Sequence, residues 1–151
     1  MFFFDRLDMC HIVDLHDRIT VDQDTISLAD LLLEKMQIVR ITDKDIIDTI
    51  VLFLEHPVTS TDEGINADYV ARQLAHDWGF YHTATTNLRR IRDEFVNYYA
   101  LLGDSNRQMV RDRIEQVLGR IEAEPKTLQW KMRARIGTSV KWYKDVGELV
   151  R

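Results

Sequence analysis

The sequence predicts an α+β fold that is mainly α, with short N-terminal strands or a hairpin followed by a helical bundle. Three observations lead there. Of 151 residues only 6 are Gly and 2 are Pro, so breakers are few and helices are favoured over many short strands. From Ser27 onward apolar residues recur at helical spacing. Residues 2–21 instead hold short apolar runs punctuated by Asp8, Asp14 and Asp17, as turn formers punctuate strands.

The elements follow in order. Phe2-Phe3-Phe4 and Met9–Leu15 read as strands, and Arg18–Val21 as a continuation. An apolar strand at the start is an edge that wants a neighbour, from this chain, a separate chain or a second copy. Ser27 is placed to cap a helix over residues 27–39 through Leu28, Leu31, Leu32, Met36 and Val39. Thr42 caps a second helix, with Ile46, Ile47, Ile50, Val51 and Leu54 as its stripe, stopped by His56-Pro57. Val58–Gly64 is polar and turn-like, which divides the chain into residues 1–57 and 58–151.

The second part reads as helical almost throughout. One helix is expected from Asn66 to Trp78, with Gly79 in the following turn. Another runs from Thr83 or Thr85 to about Leu102. Gly103-Asp104-Ser105 interrupts it, and Ser105 caps a helix through Ile121. Pro125 precedes a last helix to about Arg135, which the pattern reads as an amphipathic closing helix with snorkelling cations.

Composition excludes several functions. At 45% hydrophobic and 30% charged the chain is ordinary globular protein rather than disordered. A formal net charge of −5 argues against a generic nucleic-acid binder, which needs a cationic excess to displace counterions. The single cysteine, Cys10, forms no internal disulfide and suits a reducing compartment. No apolar run reaches the roughly 20 residues of a membrane span, and no signal peptide is evident, so a cytoplasmic location is expected.

Four clusters could carry chemistry. Lys35 lies on the first long helix, and Asp45 and Asp48, three apart, share a face of the second. A short connection makes such helices antiparallel neighbours, so the lysine can reach the two acids. Asp5, Asp8, His11, Asp14 and His16 are dense, but His11 and His16 have opposite parity on a strand, and strand-end turns explain them without a metal. Arg89, Arg90 and Arg92 follow a helix and Gly79 as in a DNA-reading helix-turn-helix, although Trp78, Phe80 and Tyr81 make a heavy turn. Lys131, Arg133 and Arg135, with Lys126, Lys141 and Lys144, are interleaved with Trp130, Trp142 and Tyr143, a pattern that can bind single strands by stacking and charge.

The run E-K-M-Q-I-V-R at residues 34–40, followed by K-D-I-I-D at residues 44–48, resembles the helical segment of nucleotidyltransferase-superfamily proteins of the abortive-infection toxin kind. F-F-F-D-R-L-D-M-C-H-I-V-D-L at residues 2–15 looks like the strand pair preceding that segment in uncharacterised bacterial nucleotidyltransferase-like proteins. Residues 69–88, with D-W-G, and residues 120–137, with E-A-E-P-K-T-L-Q-W-K, resemble the helical tail of the same group. The resemblance implies a nucleotide-handling fold in which Lys35 faces the triphosphate and Asp45 and Asp48 are the acidic pair of the next helix. Active members of that group bind NTP and two Mg²⁺ ions through a G-S motif, a D-x-D pair and a third acid, because hard cations need converging carboxylates. Here no G-S is followed by D-x-D, and the segment expected to carry them would precede residue 1. Met1 or Phe2 stands where the third acid would open its strand, with Asp5 the nearest substitute. The expectation is a nucleotidyltransferase-like chain that catalyses no transfer by itself, binding NTP weakly or forming half of a two-chain assembly. The alternative is a helical module that binds nucleic acid through Arg89, Arg90, Arg92 and the C-terminal cations, or binds protein.

Overall fold

The computed structural model describes residues 6–8, 11–14, 26–98 and 102–144. The expected strand at Phe2–Phe4, the continuation at Arg18–Val21, and Asp5, Cys10 and His16 lie outside the described residues. The fold is mainly α with a small β part. An antiparallel pair, β1 (Arg6–Asp8) and β2 (Ile12–Asp14), is followed by α1 (Leu28–Met36) and α2 (Asp43–Glu55). Two very short parallel strands, β3 (Val58–Thr59) and β4 (Ile65–Asn66), lead into α3 (Ala67–Leu74) and α4 (Trp78–Asp93). A 3₁₀ turn over Phe95–Tyr98 precedes α5 (Asp104–Ala123) and α6 (Leu128–Ile136).

The caps explain where the helices begin. Ser27, Thr42, Asn66, Asp77 and Thr127 each accept a backbone N–H from three residues on, which satisfies a donor that the first turn leaves orphaned. Two caps revise the expected boundaries. The helix expected over Asn66–Trp78 ends at Leu74, because the Asp77 carboxylate accepts the Phe80 N–H at 3.1 Å and starts α4 at Trp78. Gly79 is therefore no breaker. It lies in the first turn of α4, where a Cβ would stand 2.7 Å from the Trp142 carbonyl oxygen. The helix expected to reach Leu102 stops at Asp93, and the 3₁₀ turn after it buries Val96. At α5 the Ser105 cap is replaced by Gly103, whose φ of +76° suits glycine, and the helix opens at Asp104.

The segment expected to be only a polar turn pairs Val58 with Ile65 and Thr59 with Asn66. The Ile65 N–H donates to the Pro57 carbonyl at 2.9 Å, and a Cβ at Gly64 would lie 2.6 Å from that same oxygen.

α5 is the spine. Its Val110, Ile114, Val117, Leu118 and Ile121 are buried against α2, α3 and α4. Phe53, Leu32, Leu33, Ile46, Leu74 and Leu88 complete the centre of the core. The core runs across the seam expected at Val58. Arg113 of α5 also crosses it, donating through one nitrogen to the carbonyls of Phe53 (2.8 Å) and His56 (3.1 Å) at the end of α2. Asn87 of α4 closes the end of α1 in the same way, donating to the carbonyls of Met36 (3.1 Å) and Ile38 (2.8 Å). No helix of the described residues is long and apolar enough to cross a membrane.

Candidate functional site

The structure brings Lys35, Asp45 and Asp48 together. The Lys35 Nζ lies 3.0 Å from Asp45 Oδ1 and 3.1 Å from Asp48 Oδ2. Lys44 adds a second cation 2.9 Å from Asp48 Oδ2. The cap residue Thr42 donates its hydroxyl to Asp45 Oδ2 at 2.8 Å while accepting the Asp45 N–H. Asp45 thus fixes the start of α2 and grips the end of α1. Partial burial opposes charge on Lys35 and on Asp45, but their mutual bonds and the Thr42 hydroxyl outweigh it. Lys35 is held above the usual lysine range and Asp45 below the usual carboxylate range. Bonds from Lys44 and Lys35 hold Asp48 low as well. Burial pushes the neighbouring Glu34 carboxyl up, with Lys35 opposing and Asp45 assisting. The cluster is thus an ordered lysine flanked by ionised acids. It can hold a cationic group between carboxylates, and it can present Lys35 to phosphate once the acids are met by other cations. Among the described residues no three His, Cys, Asp or Glu side chains converge to hold a metal ion.

His11 is buried and packs flat on Phe80, ring centroids 5.2 Å apart. Its Nε2 is 2.8 Å from Thr83 Oγ1, and its backbone N–H donates to Gln37 Oε1 at 3.1 Å. Burial lowers its pKa to about 4, with Asp77 opposing and His82 assisting. It is neutral at pH 7 and ties the hairpin to α1 and α4.

The arginines of the helix-turn-helix reading are engaged within the chain. Arg89 pairs with Glu122 at 3.4 Å, and Arg92 with Asp93 at 2.6 Å and with Glu115. Arg90 lies over the Phe95 ring, 4.9 Å from its centroid. The first turns of α4, which would enter a groove, are largely buried, with Trp78, Gly79, Phe80, Thr83 and Ala84 inside.

The C-terminal cations divide. Arg133 donates to the carbonyls of Gly137 (2.8 Å) and Val140 (3.1 Å) and lies over Trp78. Lys126 donates to the carbonyls of Ile121 and Glu124 at 2.7 Å each, closing the end of α5. Lys131 and Arg135 face solvent. Beside them runs the apolar stripe of the helix expected to be an amphipathic closing helix, and it does not close on the core. Leu128 is 74% exposed, Met132 60% and Ile136 49%, and α6 buries none of its residues. The stripe forms one side of a groove of about 770 Å³ whose other side is the start of α4 at Trp78 and Gly79, with Trp142 at its end.

Trp142, expected only as an aromatic among the C-terminal cations, packs back onto α4. Its indole N–H donates to Thr83 Oγ1 at 3.1 Å, and its ring meets His82 edge-on at 5.0 Å. His82 in turn stacks on Trp78 at 5.0 Å. The available signal was Trp78 and His82, four apart on one helical face, with Gly79 between them leaving room for a backbone to approach. Comparison with known protein families, curated proteins and solved structures gives no match for this chain.

Proposed function

We propose that the chain is the helical part of a nucleotidyltransferase-like protein, in which Lys35 presents its charge to nucleotide phosphates and Asp45 and Asp48 position it. The observation that carries the reading is the convergence of those three side chains across α1 and α2, ten and thirteen residues apart in sequence. The pairing favours one lysine geometry, so less side-chain freedom is lost when phosphate arrives. It also sets a condition. Asp45 and Asp48 repel a bare triphosphate, so the nucleotide enters with Mg²⁺ offsetting its charge. These 151 residues supply no G-S followed by D-x-D, and transfer chemistry needs converging acids from another segment or chain. The role proposed for these residues is therefore nucleotide binding, with transfer depending on such acids.

A thermal-shift titration with Mg²⁺ and each NTP tests the reading. Binding to the folded state raises the midpoint with ligand concentration. The shift is expected for the wild-type chain and absent for Lys35→Ala, with circular dichroism showing that the variant stays helical. No shift with any NTP, or equal shifts in both proteins, sinks it.

A further inference from the structure

Away from Lys35, the groove between α4 and α6 presents aliphatic side chains that nothing in the described chain covers, and Lys131 and Arg135 are exposed on α6 beside it, outside its lining. The nine residues of α6 span about 14 Å at 1.5 Å per residue. At about 100° per residue, Leu128, Met132 and Ile136 fall within one ~80° sector. Lys131 and Arg135 border that sector on one side, Gln129 and Arg133 on the other. Charge is distributed unequally around this face. Residues 126–144 hold six of the 20 Lys and Arg and none of the 25 Asp and Glu, so the remainder of the chain carries 14 cations against 25 acids. The nearest acid in the groove wall, Asp77, is the α4 cap and accepts the Phe80 N–H.

We propose that this groove docks an acidic amphipathic helix of another protein, its apolar side chains seated along Leu128, Met132 and Ile136 and its carboxylates on Lys131 and Arg135. The groove admits a helix of a few turns, and i, i+4 anchors in a hydrophobic groove are a recurrent mode of helix recognition. The cations steer an acidic segment in and reject a basic one. Other occupants fit less well. A nucleic acid needs open aromatic faces, yet Trp78 is covered by His82 and Arg133, and Trp130 packs against Tyr81 with Lys126 over it. A second copy docking α6 on α6 would set Lys131 and Arg135 against their own counterparts. A bilayer is flat, and the stripe here is one wall of a concavity.

The test is to pan the intact chain against a display library of random peptides and to titrate the enriched sequences calorimetrically at low and high salt. The expected winners carry Leu, Ile or Phe at helical spacing with Asp or Glu between them. Met132→Glu, at a position 60% exposed in the folded chain, is expected to weaken them at least ~10-fold, as loss of a central apolar anchor does. The double variant Lys131→Glu with Arg135→Glu is expected to weaken them and to flatten the salt dependence. A peptide with its acids changed to lysine is expected to bind that double variant and not the wild type. Enrichment of basic or neutral peptides, no enrichment at all, or affinity indifferent to Met132→Glu overturns the proposal. So does preferential binding of oligothymidylate or of phosphatidylglycerol vesicles, or a dimer in sedimentation that Met132→Glu dissociates.

Discussion

α5 and α6 follow one another in the chain, each carries apolar residues at helical spacing among charged ones, and they meet opposite fates. α5 turns Val110, Ile114, Val117, Leu118 and Ile121 inward. α6 turns Leu128, Met132 and Ile136 outward and is held by its other face, where Trp130 meets Tyr81 edge-on at 5.0 Å and Arg133 lies over Trp78. Helical periodicity records that a stripe exists, and it is silent on what covers the stripe. On α5 the cover is three helices of the same chain. On α6 the attachment is aromatic and cationic, and the aliphatic side is left over. The difference teaches that an amphipathic pattern is a statement about need, met internally in one case and unmet in the other.

The strongest way to break the comparison is in the core. Ile114 is fully buried beneath its neighbours. Ile114→Ala removes that packing and leaves a cavity, with an expected loss of about 3–4 kcal/mol in urea unfolding. A loss below about 1 kcal/mol would mean that α5 is not the spine.

A second test addresses the contact that joins the hairpin to the wall of the groove. His11 has a folded pKa near 4 against 6.5 for the ordinary residue, mainly through burial. The unfolded chain therefore takes up a proton at a pH where the folded chain does not. The contribution of His11 is complete above about pH 6.5, shrinks as pH falls toward 4, and is gone below that. The expected loss across this window is on the order of 2–3 kcal/mol. Urea midpoints measured at intervals across the window should show a slope that His11→Gln reduces, with the weaker lowering at His82 leaving a remainder. An unchanged slope would show that His11 is hydrated in the native state.

The polar clasp on α1 and α2 should matter less. Asp45→Ala removes an acceptor for Lys35, an acceptor for the Thr42 hydroxyl and an acid from the first turn of α2. Part of each bond is replaced by water at this half-buried site, so about 1 kcal/mol is expected. Because Asp45 is held below its ordinary pKa, that stability is present at neutral pH and is lost as pH falls through the depressed value. An effect above about 3 kcal/mol would turn the clasp into a core feature.

What the sequence made legible follows the same division. Local signals carried far. Ser27 and Thr42 cap where expected, and Lys35, Asp45 and Asp48 meet because a short link brings α1 and α2 side by side. Signals that depend on distant chain misled. Gly79 reads as a breaker until the Trp142 carbonyl is seen above it, and Ser105 reads as a cap until Gly103 takes a positive φ. Arg89 and Arg92 read as candidate groove cations in the alternative reading, and although Asp93 beside Arg92 was in view, Glu122 and Glu115, their partners on α5, stand more than twenty residues away. The outward stripe on α6 was visible as a stripe, and its direction was not, since direction is set by which face finds aromatic partners.

The smallest expected effect sharpens the comparison most. Leu128→Ala combined with Met132→Ala deletes two large apolar side chains, which on α5 would cost several kcal/mol. On α6 both side chains are more than half exposed in the folded chain, so folding removes little of their surface from water and little transfer energy is at stake. Alanine also favours a helix at least as well as leucine or methionine does. The urea midpoint should therefore move by no more than about 0.5 kcal/mol in either direction. A loss of 2 kcal/mol or more would mean that the stripe is already covered within the free chain in solution, and the contrast between α5 and α6 would collapse. A stable double variant that no longer holds an acidic peptide would separate the two roles of an apolar stripe in one molecule, since the same kind of side chain would then be needed for folding on α5 and only for binding on α6.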